Sequence, residues 1–342
     1  MTSAHGSFAH DSRPPQARRR LCLALPLLLA PWALAKADEF PVFPIAGKPI
    51  RLIVGFPAGG GTDLQARALG QSLARLLAAS VIVENRAGAS TTIAAMEVAR
   101  SAPDGHTLLY TPSSTLTQVP LTLSAVRYDP FKDFTPISMA AVGPLVLVVH
   151  DSVPAHDVKE LIAYAKSVPG RLNYVSQGIG TSAHIYGDLF ARQAGIDIVH
   201  VPYKGANDVA KDFIAGRVQL QFASSSAAVA LEKSGQVRLL AIVARERSPL
   251  FPGLPTMAEE GIEGMDIDSW IGCFGPAGMA PSTVDRLNKA IGEALREPAL
   301  RKEFELGGVV AEGSTPQALA ATLRSTYDLW SQMLRRIDFK KE

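Results

Sequence analysis

The sequence predicts an α/β fold in two lobes, each built on a mostly parallel sheet. Three observations carry that expectation. From Ile50 onward, short apolar runs alternate with longer segments whose apolar residues recur at helical spacing, the order that yields parallel sheets covered by helices. A glycine-rich strand–loop–helix unit occurs twice. A chain of 342 residues is also long enough to divide into two cores.

The first unit opens with Ile50-Arg51-Leu52-Ile53-Val54 and passes through Phe56-Pro57-Ala58-Gly59-Gly60-Gly61-Thr62-Asp63 into a helix. Consecutive glycines leave backbone N–H groups uncovered, and the helix behind them aims its free N–H groups and positive dipole end at the turn. That combination is an anion site without a charged side chain; the alternative is a tight corner with no ligand. No lysine–hydroxyl pair follows and the spacing is not G-x-G-x-x-G, so neither a nucleotide P-loop nor a dinucleotide site is expected. In the helix, Leu64, Ala68, Leu69, Leu73, Leu76 and Leu77 form the apolar stripe, with Gln65, Arg67, Gln71 and Arg75 opposite. A strand at Val81-Ile82-Val83, a helix over 92–100 and a strand at Thr107-Leu108-Leu109-Tyr110 complete the unit. Residues 113–128 show no clear period.

Leu145-Val146-Leu147-Val148-Val149 is a continuous apolar run, read as a strand buried on both faces. A helix begins at Pro154 and buries Val158, Leu161, Ile162 and Ala165. The second unit then repeats the first: Arg171-Leu172-Asn173-Tyr174-Val175, the turn Ser176-Gln177-Gly178-Ile179-Gly180, and a helix entered at Thr181-Ser182. The parallel extends to a basic residue before glycine, Asn85-Arg86-Ala87-Gly88 in one unit and Pro202-Tyr203-Lys204-Gly205 in the other. The second unit ends in Val218-Gln219-Leu220-Gln221-Phe222. Each unit places a helix N-terminus beside the carboxyl ends of strands, where open α/β sheets hold ligands. Strands over 237–243 and 269–274 and helices from Ser282 onward complete the chain, with Val284, Leu287, Ile291 and Leu295 as one buried stripe. Crossovers near 139–143 and 275–281 put residues 46–141 and 279–342 in lobe 1 and residues 142–278 in lobe 2.

Residues 1–37 read as an export signal. Arg18-Arg19-Arg20 precede an apolar run from Leu21 to Leu29, and small residues at Ala33, Ala35 and Ala37 fit the cleavage pattern. The run is broken by Pro26 and Pro31 and falls short of the roughly 20 residues that span a bilayer, so a periplasmic destination is expected. The leader carries Arg13, Arg18, Arg19, Arg20 and Lys36 against Asp11, and losing it turns a net charge of +2 into −2. A nucleic-acid partner therefore has no electrostatic footprint. Cys22 leaves with the leader, and Cys273, unable to form an internal disulfide, reads as a small buried apolar residue.

Signs of catalysis are sparse. His106, His150, His156, His184 and His200 share no short ligand spacing, and neither metal nor cofactor is expected. No G-x-S-x-G elbow occurs, and Ser182 and His184, two apart on a helix, point to different sides. No catalytic residue is assigned. Thr62, Thr181 and Ser182 stand where helix caps stand, which is compatible with facing a ligand. Asp63 would compete with an anion for the same positive potential and reads as structural. Arg86 and Lys204 are open to a cleft role or to being solvated loop charges, and Tyr203 to lining a cleft or packing on the core.

Taken in order, several stretches resemble one family. They are Lys48-Pro49-Ile50-Arg51-Leu52-Ile53-Val54, the glycine loop 56–63, Val83-Glu84-Asn85-Arg86, Ala102-Pro103-Asp104-Gly105, Tyr128-Asp129-Pro130, Gly180-Thr181-Ser182 and Val201-Pro202-Tyr203-Lys204-Gly205. The family is that of the periplasmic substrate-binding proteins of tripartite tricarboxylate transporters, the Bug family, and the resemblance runs from about Lys48 to Ile337. It implies a type II periplasmic-binding-protein fold whose lobes close on a small di-, tri- or aromatic carboxylate, with membrane permease subunits as partners. A receptor that presents its ligand to a sensor kinase is a variant; a secreted carboxylate-ester hydrolase using Ser182 and His184 is the competing class. The resemblance places the ligand at Gly59, Gly60, Gly61 and Thr62 in one lobe and Gly178, Gly180, Thr181 and Ser182 in the other, with Tyr203 and Ala223 nearby. Two departures stand out. Relatives continue from the asparagine–arginine pair with proline and several glycines, where this chain has Ala87-Gly88-Ala89-Ser90-Thr91. Many also carry an acidic or amide residue at the position of Ala223, which ranks amino acids below plain carboxylates as ligands here.

Overall fold

The computed structural model describes residues 43–203 and 206–341. The expected leader, 1–37, and Lys204 lie outside the described residues. The strands are β1 (Ile50–Val54), β2 (Val81–Asn85), β3 (Thr107–Pro112), β4 (Phe134–Val142), β5 (Leu145–His150), β6 (Leu172–Ser176), β7 (Ile198–Pro202), β8 (Leu220–Ser224), β9 (Val237–Val243), β10 (Trp270–Pro276) and β11 (Val310–Ala311). The helices are α1 (Gly61–Leu77), α2 (Thr92–Ala99), the single turns α3 (Ser114–Thr117) and α4 (Val119–Thr122), then α5 (Val158–Ser167), α6 (Ser182–Ala194) and α7 (Ala206–Ile214). After them come α8 (Ser225–Glu232), α9 (Pro281–Ala294), α10 (Pro298–Leu306) and α11 (Pro316–Arg336).

The strands form two sheets, ordered β11-β4-β10-β3-β1-β2 and β7-β6-β8-β5-β9. In each, the three strands of one glycine-loop unit are parallel, β2-β1-β3 and β7-β6-β8. Beside β3 lies β10 and beside β8 lies β5, both antiparallel. The internal repeat thus becomes the same strand order twice, one sheet to each lobe.

Four expectations need correction. The sheets are mixed and not mostly parallel, because every strand pairing made by β4, β5, β9, β10 and β11 is antiparallel. The strand at Trp270 belongs to the first sheet, where Cys273 faces Tyr110 of β3 and Ser138 of β4; an apolar strand shows that it is buried but not in which sheet. The segment read as a crossover, 139–143, is largely the end of β4, a strand the sequence conceals because Pro136 interrupts its alternation. Helix α5 starts at Val158, four residues after Pro154, because the Asp157 side chain accepts the Glu160 N–H and sets the cap there.

Both cores reach the last helix. Leu319 and Leu323 of α11 pack with Ile53, Leu109 and Phe274 of the first lobe. Two turns on, Trp330 and Leu334 pack with Tyr186, Phe190 and Phe222 of the second. Between them Trp270 Nε1 donates to Thr326 Oγ1 at 3.1 Å. At 1.5 Å rise per residue, the 21 residues of α11 make a rod about 30 Å long that bridges the lobes. Cys273 is fully buried, and burial pushes its thiol up to about 12.

Candidate functional site

Each glycine-rich turn is held by its own residues. In the first, the Gly59 N–H donates to Asp63 Oδ2 at 2.9 Å, as does Arg67 Nε, and Asn85 Nδ2 donates to Asp63 Oδ1. Burial alone would raise the Asp63 carboxyl, but these hydrogen bonds outweigh it and hold it below the usual carboxylate range. Asp63 is therefore a structural anion that organises the loop. Gly60 stands at the cap position of α1 and supplies no side-chain cap, so the first-turn N–H groups stay available. Gly61 is required for close approach: a Cβ there would lie 2.4 Å from Ser226 Cβ.

The second turn is built differently. Gly178 (φ +133) and Gly180 (φ +75) carry backbone that disfavours side chains. The Gly180 N–H donates to His184 Nδ1 at 3.1 Å, and the Thr181 hydroxyl donates to the Gly178 carbonyl at 2.8 Å. Thr181 occupies the cap position of α6 without capping it. Ser182 Oγ accepts from Gln118 Nε2 at 2.9 Å. With its hydroxyl held by Gln118 and His184 Nδ1 turned to a backbone amide, the Ser182–His184 pair is not arranged as nucleophile and base.

A third helix start joins these two. Ser224 caps α8, accepting from the Ala227 N–H, while Ser225 Oγ donates to the Pro144 carbonyl and Ser226 Oγ accepts from Gln65 Nε2. The starts of α1, α6 and α8 meet at a cavity of about 110 Å³. Gly60, Gly61, Thr62, Thr181 and Ser182 all line it, and its floor includes Gly143, Pro144 and Ser269, where the chain passes between the sheets. Among the described residues, no ionisable side chain lines this cavity. Its positive potential comes from helix ends, each equivalent to about half a charge, and hydroxyls and the carboxamides of Gln65 and Gln177 supply the remaining polar groups. Such a wall binds an anion through dipoles.

The other expected site residues sit elsewhere. Gly59 borders an adjoining chamber. Gly178 and Gly180 stand behind the wall, giving room to Ser90 and Thr122, whose hydroxyls would lie 2.5 and 2.1 Å from an added Cβ. Ala223 is fully buried on the opposite face of β8 from Phe222, among Val146, Val148 and Val175. Tyr203 packs at the edge of that cluster and donates to Asp212 Oδ2 at 2.7 Å. Arg86 binds Glu84 and Glu97, which also hold Arg51, in a four-charge network on the first lobe. The serines 224–226 and Gln65 were not expected; three serines between an apolar strand and a helical run are the signal that marks a third helix start.

Two α/β lobes that bring helix N-termini together around one shared cavity define a binding protein of the periplasmic type. A profile described as "Tripartite tricarboxylate transporter family receptor" matches residues 65–339, and the chain belongs to that family. BugT of Bordetella pertussis is 33% identical over 325 residues, covering 94% of this chain and 98% of BugT. Among solved structures, MatC from Rhodopseudomonas palustris with bound malate is 29% identical with a TM-score of 0.79, covering 84% of this chain and 99% of MatC. Rpa4515 of R. palustris with adipate is 30% identical with a TM-score of 0.81, covering 85% and 98%.

Proposed function

We propose that this chain is an exported, periplasmic receptor that captures a small carboxylate between its lobes and hands it to the membrane permease of a tripartite transporter. The observation that carries the reading is the cavity wall: three helix starts drawn from both sheets and, among the described residues, no ionisable side chain. Dipoles fixed in the fold suit a carboxylate, whose charge they stabilise without a counter-ion. The malate and adipate named for MatC and Rpa4515 support the same ligand class. We place the division of the lobes at Gly143-Pro144 and Ser269, with α11 shared, so that closure is a hinge motion at those crossovers biased by contacts to both lobes. The leader 1–37 would be removed on export.

The test is calorimetry and thermal melting of the mature protein with malate, succinate, adipate and benzoate, followed by recovery of the ligand. A melting shift with one or more of them, and the ligand recovered unchanged, supports the receptor. A flat response to every carboxylate, or conversion of one to product, overturns it.

A further inference from the structure

Beside the carboxylate cavity lies a larger chamber of about 380 Å³. The two share Gly60, Gly61, Gln65, Gln177, Ser226 and Ala227, so they meet at the first turn of α1. The chamber's far side is largely apolar, formed by Val209 and Ile214 of α7, Leu231 of α8, and Phe304 and Leu306 of α10, with the charged Lys233 and Glu303 also on its lining. Two features there run against what folding alone would select. Leu64, at 55% exposure, and Leu306, at 64%, flank the chamber while the polar Gln65 takes the buried place on α1. Gln221, 1% exposed, also lines it, and its Oε1 is the one buried side-chain polar atom without a hydrogen-bond partner among the described residues.

A buried acceptor left unpaired is costly, and an apolar side chain of the same size in β8 would avoid that cost. Gln221 sits between Leu220 and Phe222 on a strand otherwise devoted to the core. Its carboxamide borders the chamber, where a ligand hydroxyl would find a polar partner.

We propose that the chamber seats the uncharged body of the ligand, which is then a carboxylate carrying an apolar ring or chain and a hydroxyl directed at the Gln221 carboxamide. The inference rests on the carboxylate reading above. With the carboxylate at the α1 N-terminus, the body passes Gly60 and Gly61 into the chamber. Size favours this class. An apolar cavity of about 150 Å³ takes one benzene, so the chamber holds a ring with a short chain, whereas the first cavity holds a carboxylate and a few carbons.

Calorimetry with succinate, phenylpropanoate and the ortho-, meta- and para-hydroxy derivatives of phenylpropanoate tests it. Phenylpropanoate should bind about 10-fold more tightly than succinate through buried apolar area, and one hydroxy derivative about 10-fold more tightly again through the hydrogen bond. Gln221→Met should erase the hydroxyl preference, leave succinate affinity unchanged, and melt no lower than the native protein, since it removes an orphaned acceptor at similar volume. Ala210→Phe, which fills the chamber from α7, should bring phenylpropanoate down to the level of succinate. Equal affinities for succinate and all the aryl acids, or a hydroxyl preference that survives Gln221→Met, overturn the chamber assignment while the carboxylate reading stands. No binding by any carboxylate overturns that reading, and this inference with it.

Discussion

Ser90 Oγ donates a 2.8 Å hydrogen bond to the carbonyl of Ile179, joining the loop after β2 to the glycine turn of the other lobe. The bond comes from a strained segment. Ala89, Ser90 and Thr91 have φ of 45°, 51° and 75°, a region that costs a non-glycine residue about 1–2 kcal/mol. Removing the bond with Ser90→Ala should loosen the hold between the lobes and speed ligand release by about 2- to 10-fold, the worth of one hydrogen bond. Stopped-flow dissociation of the tightest carboxylate from the calorimetric panel reads this; an unchanged rate would mean the bond does not support the bound state.

The strain itself can be isolated at Ala89, whose side chain is exposed. Ala89→Gly keeps the Ser90 bond and relieves the backbone, while the freer unfolded chain takes back part of the gain. The net stabilisation should be roughly 0.5–1 kcal/mol, measured as a higher urea midpoint at unchanged slope.

Gly60 and Gly180 separate binding from folding. At Gly60 (φ −78) an added Cβ meets nothing closer than the Pro57 carbonyl at 3.6 Å, so Gly60→Val should fold normally and lose carboxylate affinity by obstructing the α1 N–H groups. At Gly180, φ +75 and a 2.1 Å clash with Thr122 Oγ1 make the same substitution a folding lesion. Circular dichroism melts of both variants, paired with calorimetry on Gly60→Val, check the contrast.

His200 carries a pH dependence. Its ring stacks on His184 at 4.0 Å and on Tyr174 at 4.9 Å, and its Nε2 lies 2.8 Å from Ser176 Oγ. Burial, with a smaller contribution from His184, pushes the imidazole down to about 3. The unfolded chain, with histidine near 6.5, then binds more protons than the folded one between those values. Stability is therefore highest above pH 6.5 and falls as pH drops toward 3. Urea midpoints at pH 7.5 and 5 should differ in the native protein and converge in His200→Gln. The same stack supports the Gly180 N–H bond to His184 Nδ1, which needs an unprotonated nitrogen.

Trp330, 1% exposed and 5.0 Å from the Tyr186 ring, lies in a helix that starts on the other lobe. Trp330→Ala should cost about 3–5 kcal/mol, read by urea unfolding, with near-ultraviolet dichroism showing the loss in the second lobe's aromatic cluster.

The repeat was legible because its signals are local. A glycine run after an apolar strand, followed by a 3.6-residue period, names strand, turn and helix without knowledge of the partners. What was not legible depends on distant partners. The burial of Gln65 in place of Leu64 requires Ser226 and the chamber beside α10, 161 residues or more away. The sheet that β10 joins is decided by Tyr110 and Ser138. The glycine turns marked two of the three helix starts that meet at the cavity, but the reason for glycine differs between them. Gly61 admits Ser226, and Gly178 and Gly180 admit Ser90 and Thr122, so at these three positions close packing against a neighbouring side chain requires glycine.

The shared final helix also bears on how the molecule is made. Leu319 and Trp330 arrive together on one rod, so the cluster of Ile53, Leu109 and Phe274 in one lobe and that of Tyr186, Phe190 and Phe222 in the other both gain their cover when α11 docks.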